Sequence, residues 1–192
     1  MEEGQMKNRL IVIGGSAGSL QPLFQIIETL EPGFPFPLLL VLHRQSNNES
    51  ALVELLATKT QLIPREIEEK DSIQPGYIYI CPADYHVLIE DNESFSLDSS
   101  EKVHHSRPSL DVVFSSAADI YKERLVGIIL SGANRDGASG LLEIKEKGGV
   151  TIVQDIKEAQ VDYMPQQALE IAMPEHTLPA VQIGKLLNHL AR

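Results

Sequence analysis

The segment Arg9-Leu10-Ile11-Val12-Ile13-Gly14-Gly15-Ser16-Ala17-Gly18-Ser19 decides how this chain folds. Its uninterrupted apolar run ends in a glycine-rich turn, which is typical of a strand buried on both faces of a parallel sheet. Apolar residues then recur at helical spacing, and Pro22 falls in the first turn, where its missing N–H is tolerated. The segment therefore predicts a strand, a tight turn and a helix, with Ser16 beside the free N–H groups of the helix N-terminus.

The residues Gly14-Gly15-Ser16-Ala17-Gly18 match the G-x-S-x-G pattern of a nucleophile elbow. Taken alone, the match is explained better by an ordinary turn between a strand and a helix. A nucleotide or phosphate site is a third interpretation. It has the least support, because the spacing is neither G-x-G-x-x-G nor G-x-x-x-x-G-K-[ST].

Composition limits the class of protein. A chain of 192 residues, 43% of them hydrophobic, can bury the core of one domain. The net charge of −11 and the lack of a Lys/Arg cluster argue against nucleic acid as a partner. The single cysteine, Cys81, excludes a disulfide framework, and the histidine spacing matches no metal motif, so we expect no metal.

No apolar run of the sequence is long enough to span a bilayer, and residues 1–8 are acidic and polar, unlike a signal peptide. We therefore expect a cytoplasmic protein that is not embedded in a membrane. Residues 1–9 are expected to form a polar tail and residues 10–192 a single domain.

Strand and helix patterns alternate along most of the chain. Further buried strands are predicted at 36–42, 125–130 and 150–153, a polar loop at 44–48, and helices within 52–56, 110–120, 141–144, 164–171 and 183–190. Residues 62–100 contain alternating segments and a turn at 91–93, which predict a small antiparallel excursion. Together these elements predict a three-layer α/β/α sandwich with a mainly parallel sheet.

Three of the predicted strands end close to Ser16, His43 and Asp136. The carboxyl ends of parallel strands meet at one edge of a sheet, so these side chains could converge although they are distant in sequence. A serine needs a base to take its proton, and the base needs an acceptor to orient it. Each residue alone also has a structural explanation, as a loop histidine or a turn-forming aspartate. Their coincidence at three strand ends favours a catalytic triad.

Several segments, in this order, resemble the catalytic domain of the CheB family of chemotaxis receptor methylesterases. They are Ile13-Gly14-Gly15-Ser16-Ala17-Gly18, the strand ending on His43, Gly76-Tyr77-Ile78-Tyr79-Ile80-Cys81-Pro82, Arg107-Pro108-Ser109-Leu110-Asp111, Gly127-Ile128-Ile129-Leu130-Ser131-Gly132-Ala133-Asn134-Arg135-Asp136-Gly137-Ala138, and Met164-Pro165. The resemblance covers the chain from about residue 10 to residue 190.

The resemblance implies an α/β sandwich that hydrolyses glutamyl methyl esters on receptor cytoplasmic helices and deamidates selected receptor glutamines. It implies Ser16 as the nucleophile, His43 as the general base and acid, and Asp136 as the orienting carboxylate. The backbone N–H groups of Ala17 and Ala133 would be the oxyanion donors, and no cofactor would be required.

The resemblance also implies a methylesterase domain at residues 10–192 without the receiver domain that typical members carry. Regulation then has two alternatives: constitutive activity, or control by a separate response-regulator chain. A non-catalytic binding module in a signalling complex, using the same sheet edge to hold an acidic or methylated helix, is the alternative to an enzyme.

Overall fold

The computed structural model describes residues 9–43 and 49–192. The tail expected at the N-terminus, apart from Arg9, and the polar loop predicted at 44–48 lie outside the described residues. Within them, no helix is long and apolar enough to cross a membrane.

The main sheet has seven strands, and all of its pairings are parallel. Its strand order is β3-β4-β2-β1-β7-β8-β9, and strands β5 and β6 pair separately as an antiparallel hairpin. The strands are β1 (Leu10–Gly15), β2 (Leu38–Leu42), β3 (Ile63–Glu66), β4 (Tyr77–Ile80), β5 (His86–Ile89), β6 (Phe95–Asp98), β7 (Leu125–Ile129), β8 (Val150–Gln154) and β9 (His176–Leu178).

The described chain contains six α-helices, of which the first five connect strands and the sixth follows β9, and a 3₁₀ turn (Lys122–Arg124) follows the third. The helices are α1 (Leu20–Thr29), α2 (Glu49–Ala57), α3 (Leu110–Tyr121), α4 (Ala138–Glu146), α5 (Tyr163–Ala172) and α6 (Ala180–Leu190). The predicted three-layer α/β/α sandwich with a small antiparallel excursion is confirmed.

The extent of the antiparallel excursion was predicted wrongly. Only β5 and β6 are antiparallel, whereas β3 and β4 extend the main sheet in parallel register. β3 is an edge strand of the main sheet, and all four of its residues stay at least partly exposed. An alternating sequence pattern indicates that one face of a strand is buried, and it does not distinguish parallel from antiparallel pairing. The short edge strand β9 was not predicted.

The two faces of the sheet form separate hydrophobic cores, because successive strand residues point to opposite sides. Leu10 and Val12 pack with α3, α4 and α5, whereas Ile11 and Ile13 pack with α1, α2 and α6. Burial on both faces explains why β1 is an uninterrupted apolar run.

Hydrogen bonds align the ends of the three central strands. The residue pair Gly15–Leu42 closes the register between β1 and β2. One residue further on, the His43 N–H donates to the Gly15 carbonyl at 3.1 Å. On the other side, the Ser16 N–H donates to the Ser131 carbonyl at 2.9 Å. Ser16 and His43 therefore occupy neighbouring positions at the carboxyl edge of the sheet.

Helices α3 and α4 approach closely at Gly140. A Cβ atom at this position would lie 2.6 Å from the Phe114 Cβ and 3.1 Å from the Asp111 carbonyl oxygen. The Gly140 N–H also donates to the Asp111 carboxylate at 2.7 Å. The contact with α3 therefore requires glycine here.

We expect Gly140→Ala to lower the free energy of unfolding by about 1 kcal/mol. Alanine is the better helix former by about 1 kcal/mol, but overpacking costs about 1–3 kcal/mol. Overpacking should prevail because the contact on Asp111 is with backbone, which cannot rotate away. Urea unfolding measures the difference. Ser139→Ala, at the exposed neighbouring position, is the control and should stay within about 0.5 kcal/mol of the parent chain. Equal stability of Gly140→Ala and the parent would contradict this packing argument.

Candidate active site

Ser16 lies in a hydrogen-bonded turn between β1 and α1. Its carbonyl accepts the Ser19 N–H at 3.1 Å and the Ser19 hydroxyl at 2.6 Å. Gly18 has a φ of +77°, and a Cβ there would lie 2.7 Å from the Ser131 hydroxyl. The turn thus needs glycine at position 18 for both conformation and space. This local structure holds the half-buried Ser16 at the edge of the sheet.

Asp136 lies in the loop that follows β7, and its side chain is fully buried. The carboxylate accepts hydrogen bonds from the Ser109 hydroxyl at 2.8 Å, the Leu110 N–H at 2.6 Å and the Asp111 N–H at 3.0 Å. These groups belong to the N-terminus of α3, where free N–H groups and the helix dipole favour an anion. Asp136 is therefore the anionic cap of α3.

His43 follows β2 and contacts Asp136 directly. Its Nε2 atom is 2.8 Å from Asp136 Oδ2, and the His43 side chain is 13% exposed. The other ring nitrogen, Nδ1, is 3.1 Å from the Asn134 Nδ2 atom. The ring thus lies between the buried carboxylate on one side and an amide on the other.

The ionisation of Asp136 fixes the hydrogen-bonding role of the ring. Burial raises the pKa of Asp136, but the hydrogen bonds from His43 and from the Asp111 and Leu110 N–H groups outweigh it, so the pKa is lowered. An ionised carboxylate can only accept a hydrogen bond, so Nε2 must donate. In the neutral ring Nδ1 then bears the lone pair, and it is the nitrogen that can accept a proton.

A cavity of about 750 Å³ opens at this edge of the sheet. Ser16 and His43 line it together, with apolar walls from α1 and α2. A second cavity, of about 700 Å³, lies beside the α1–β2 loop, and the described residues lining it include neither serine nor histidine. The first cavity is therefore the candidate active site. Its lining includes Ser16, Ala17, Leu20, His43, Leu55 and Gln160.

The predicted site residues lie at the same edge of the sheet, but they are not all in contact with one another. His43 and Asp136 are hydrogen-bonded, and Ser16 shares the cavity with His43. Within the described residues, the Ser16 hydroxyl makes no hydrogen bond to the ring. The N–H groups of Ala17 and Ala133 also have no partner in this part of the chain. Ala17 lines the cavity, whereas Ala133 is exposed on the neighbouring loop.

Sequence reasoning missed three residues that support the site. Ser109 precedes the helix predicted within 110–120 and caps α3, and its hydroxyl also donates to Asp136. The Ser109 N–H donates to Nδ1 of the buried His86, whose Nε2 contacts the Glu101 carbonyl at 2.9 Å. Asn134 contacts His43. A serine at a helix start has a sequence signal, but these long-range partners have none.

Residues 9–43 and 49–192 contain no group of three or more His, Cys, Asp or Glu side chains that could hold a metal ion. The His43 imidazole, which lines the cavity, is hydrogen-bonded instead to the buried Asp136 carboxylate.

Comparison with known proteins identifies the family. The model of the CheB methylesterase family matches residues 11–187. A relative from Leptospira interrogans is 38% identical over 185 residues, which cover 96% of each chain. A relative from Thermotoga maritima, named protein-glutamate methylesterase/protein-glutamine glutaminase, is 32% identical over 188 residues, which cover 96% of this chain and 55% of that protein. The chain belongs to the CheB methylesterase family, as its motifs indicated.

A solved structure agrees with this assignment. The crystal structure of the Thermotoga maritima CheB methylesterase catalytic domain superposes with a TM-score of 0.91. The two chains are 33% identical, and the match covers 95% of this chain and 98% of the other.

We expect Asp136→Asn to destabilise the fold by about 1–3 kcal/mol at pH 7, because the amide cannot accept all the hydrogen bonds that the carboxylate accepts. The lowered pKa of Asp136 gives the sign of the pH dependence. Its stabilising contribution is complete above the unfolded pKa of about 3.9 and is lost as pH falls through the lower folded pKa.

Urea unfolding of both chains between pH 7 and pH 2.5 checks this expectation. The difference in the free energy of unfolding should be constant at neutral pH and should shrink below about pH 4. A difference that does not change with pH would contradict the ionised state of Asp136.

Proposed function

We propose that this chain is a serine esterase that hydrolyses the methyl esters of glutamate side chains on chemotaxis receptors. One observation supports this proposal above the others. His43, which is hydrogen-bonded to the buried Asp136 carboxylate, lines the same cavity as Ser16. Membership of the CheB methylesterase family favours the same reaction over the non-catalytic binding module.

In the proposed mechanism, the Ser16 hydroxyl oxygen attacks the ester carbonyl carbon while Nδ1 of His43 takes the hydroxyl proton. Asp136 stabilises the resulting imidazolium through Nε2. His43 then transfers this proton to the methoxy oxygen. Methanol departs, and the acyl group remains bound to Ser16 as an acyl-enzyme. A water molecule, deprotonated by the same nitrogen, attacks the acyl carbon. His43 then gives this proton to the Ser16 oxygen, which releases glutamate and restores the Ser16 hydroxyl.

The oxyanion that forms at each attack needs hydrogen-bond donors. The N–H groups of Ala17 and Ala133 are proposed for this role, because both lack partners within the described chain and lie at the edge where Ser16 is held. Donors aimed at a developing oxyanion lower the barrier by about 3–4 kcal/mol each.

The same site would also hydrolyse a glutamine side chain, with ammonia as the leaving group in place of methanol. The Thermotoga relative is named protein-glutamate methylesterase/protein-glutamine glutaminase, which supports this second activity. All proposed site residues lie within 10–192, which we propose as the methylesterase domain. The cytoplasm, where the receptor helices lie, is its proposed location, and a separate response-regulator chain is a proposed partner.

The walls of the cavity suit a helical protein substrate. Leu20 at the start of α1 and Leu55 on α2 are 47% and 43% exposed, although both are large apolar residues. Both line the cavity that contains Ser16. Exposed apolar groups beside a reactive site are typical of a surface that is covered when a partner binds. The apolar side of a receptor helix is the proposed partner here.

We expect Ser16→Ala to lower ester hydrolysis by several orders of magnitude while the chain remains folded, because no other group would attack the carbonyl. Methanol release from a methylated receptor fragment measures the loss, and ammonia release from the glutamine form should fall with it. Ser115→Ala is the control and should keep full activity, because it removes a hydroxyl on α3 that donates to Glu143 on α4. Methanol release that survives in Ser16→Ala would disprove the proposed nucleophile.

We expect Leu20→Ser and Leu55→Ser to raise KM for the receptor fragment about tenfold or more. Each variant removes an apolar contact worth about 1.5–3 kcal/mol when it is fully buried. Hydrolysis of a small soluble ester, which does not cover these walls, should change little. Equal losses on both substrates would show that the substitutions disturb the catalytic groups and that Leu20 and Leu55 are not docking residues.

A further inference from the structure

Asn134 makes an unusual contact with the ring of His43. It lies in the loop between β7 and α4, two residues before Asp136. Its Oδ1 atom accepts the Asp136 N–H at 3.0 Å. Since this backbone donor fixes the orientation of the amide, the NH₂ group is the part that faces His43 Nδ1 at 3.1 Å. The same Nδ2 atom is 3.4 Å from the Ser106 hydroxyl.

The Asn134 contact occupies the nitrogen that the proposed mechanism requires. Nε2 donates to Asp136, so only Nδ1 can take the proton of Ser16. A neutral imidazole nitrogen has a single in-plane lone pair, and the Asn134 amide already donates to it. A proton on Nδ1 would also face the N–H donors of the amide. Ser16 and Asn134 therefore compete for one acceptor.

We infer that Asn134 is a positioning residue that acts as a latch on the general base. Its hydrogen bond to Nδ1 prevents His43 from accepting the Ser16 proton, and Ser16 becomes reactive only when this hydrogen bond is broken. This inference rests on the proposed function, since it requires His43 to activate Ser16. Asn134 lies in the same β7–α4 loop as Asp136, so its contact with His43 affects the reactivity of Ser16 even when no protein substrate is bound.

The rate at which a fluorophosphonate ester labels Ser16 tests the latch without receptor docking. We expect Asn134→Ala to increase the second-order labelling rate constant about two- to tenfold, the change that loss of one ordinary hydrogen bond produces. Ser16→Ala is the blank. A rate equal to or below that of the parent chain would overturn the latch.

Asn134→Asp is the matched variant, because it keeps an oxygen for the Asp136 N–H but presents a second oxygen to Nδ1. The carboxylate should hold a proton on Nδ1, so we expect slower labelling than the parent at pH 7 and recovery as the pH is raised. A purely structural role of Asn134 predicts the same sign of change for both variants, and that result would also overturn the latch.

Nitrogen-15 NMR of the histidine rings tests the contact between Asn134 and His43 without a substitution at Asn134. We expect a proton on Nε2 of the His43 ring, facing Asp136, and an Nδ1 signal that does not change in Ser16→Ala. A changed signal would show that Ser16 is already the partner of Nδ1, and the latch would be wrong.

If the parent chain is labelled no faster than Ser16→Ala, the proposed function itself fails, and the latch fails with it.

Discussion

The carboxylate of Asp136 joins three separate parts of the chain: the loop after β7, the end of β2 through His43, and the N-terminus of α3. A fully buried charge is stable only when its hydrogen bonds are satisfied, and here N–H groups, a hydroxyl and an imidazole supply them. The same bonds cap α3 and orient His43. The stability of this sheet edge and the chemistry proposed for it therefore depend on one ionised group.

The parallel sheet is what makes such a convergence possible. Neighbouring parallel strands place their carboxyl ends at one edge, so residues 16 and 43 become neighbours although β1 and β2 are separated by a helix. Both faces of the sheet are covered by helices, which leaves this edge as a place for loops. The loops are held by bonds such as that from the Ser16 N–H to the Ser131 carbonyl. A rigid scaffold thus presents polar groups at a cavity.

The site differs from a simple row of serine, histidine and aspartate. The ring of His43 has a partner on each nitrogen, and the partner on Nδ1 is an amide from the loop that also contains Asp136. One short loop thereby provides both the carboxylate that orients the ring and the group that occupies its free nitrogen. The cavity walls of Leu20 and Leu55 come from α1 and α2, so the proposed substrate contact and the orientation of His43 depend on different elements.

The sequence by itself determined the strand–turn–helix at residues 9–30, the sandwich class, and the placement of Ser16, His43 and Asp136 at strand ends. These features follow from local burial patterns and from the rule that parallel strands end at one edge. Only the tertiary structure decided that β3 and β4 run parallel, that Nε2 faces Asp136, and that Asn134 reaches the ring. Strand direction and side-chain partners depend on residues far apart in the chain, and no local pattern reports them.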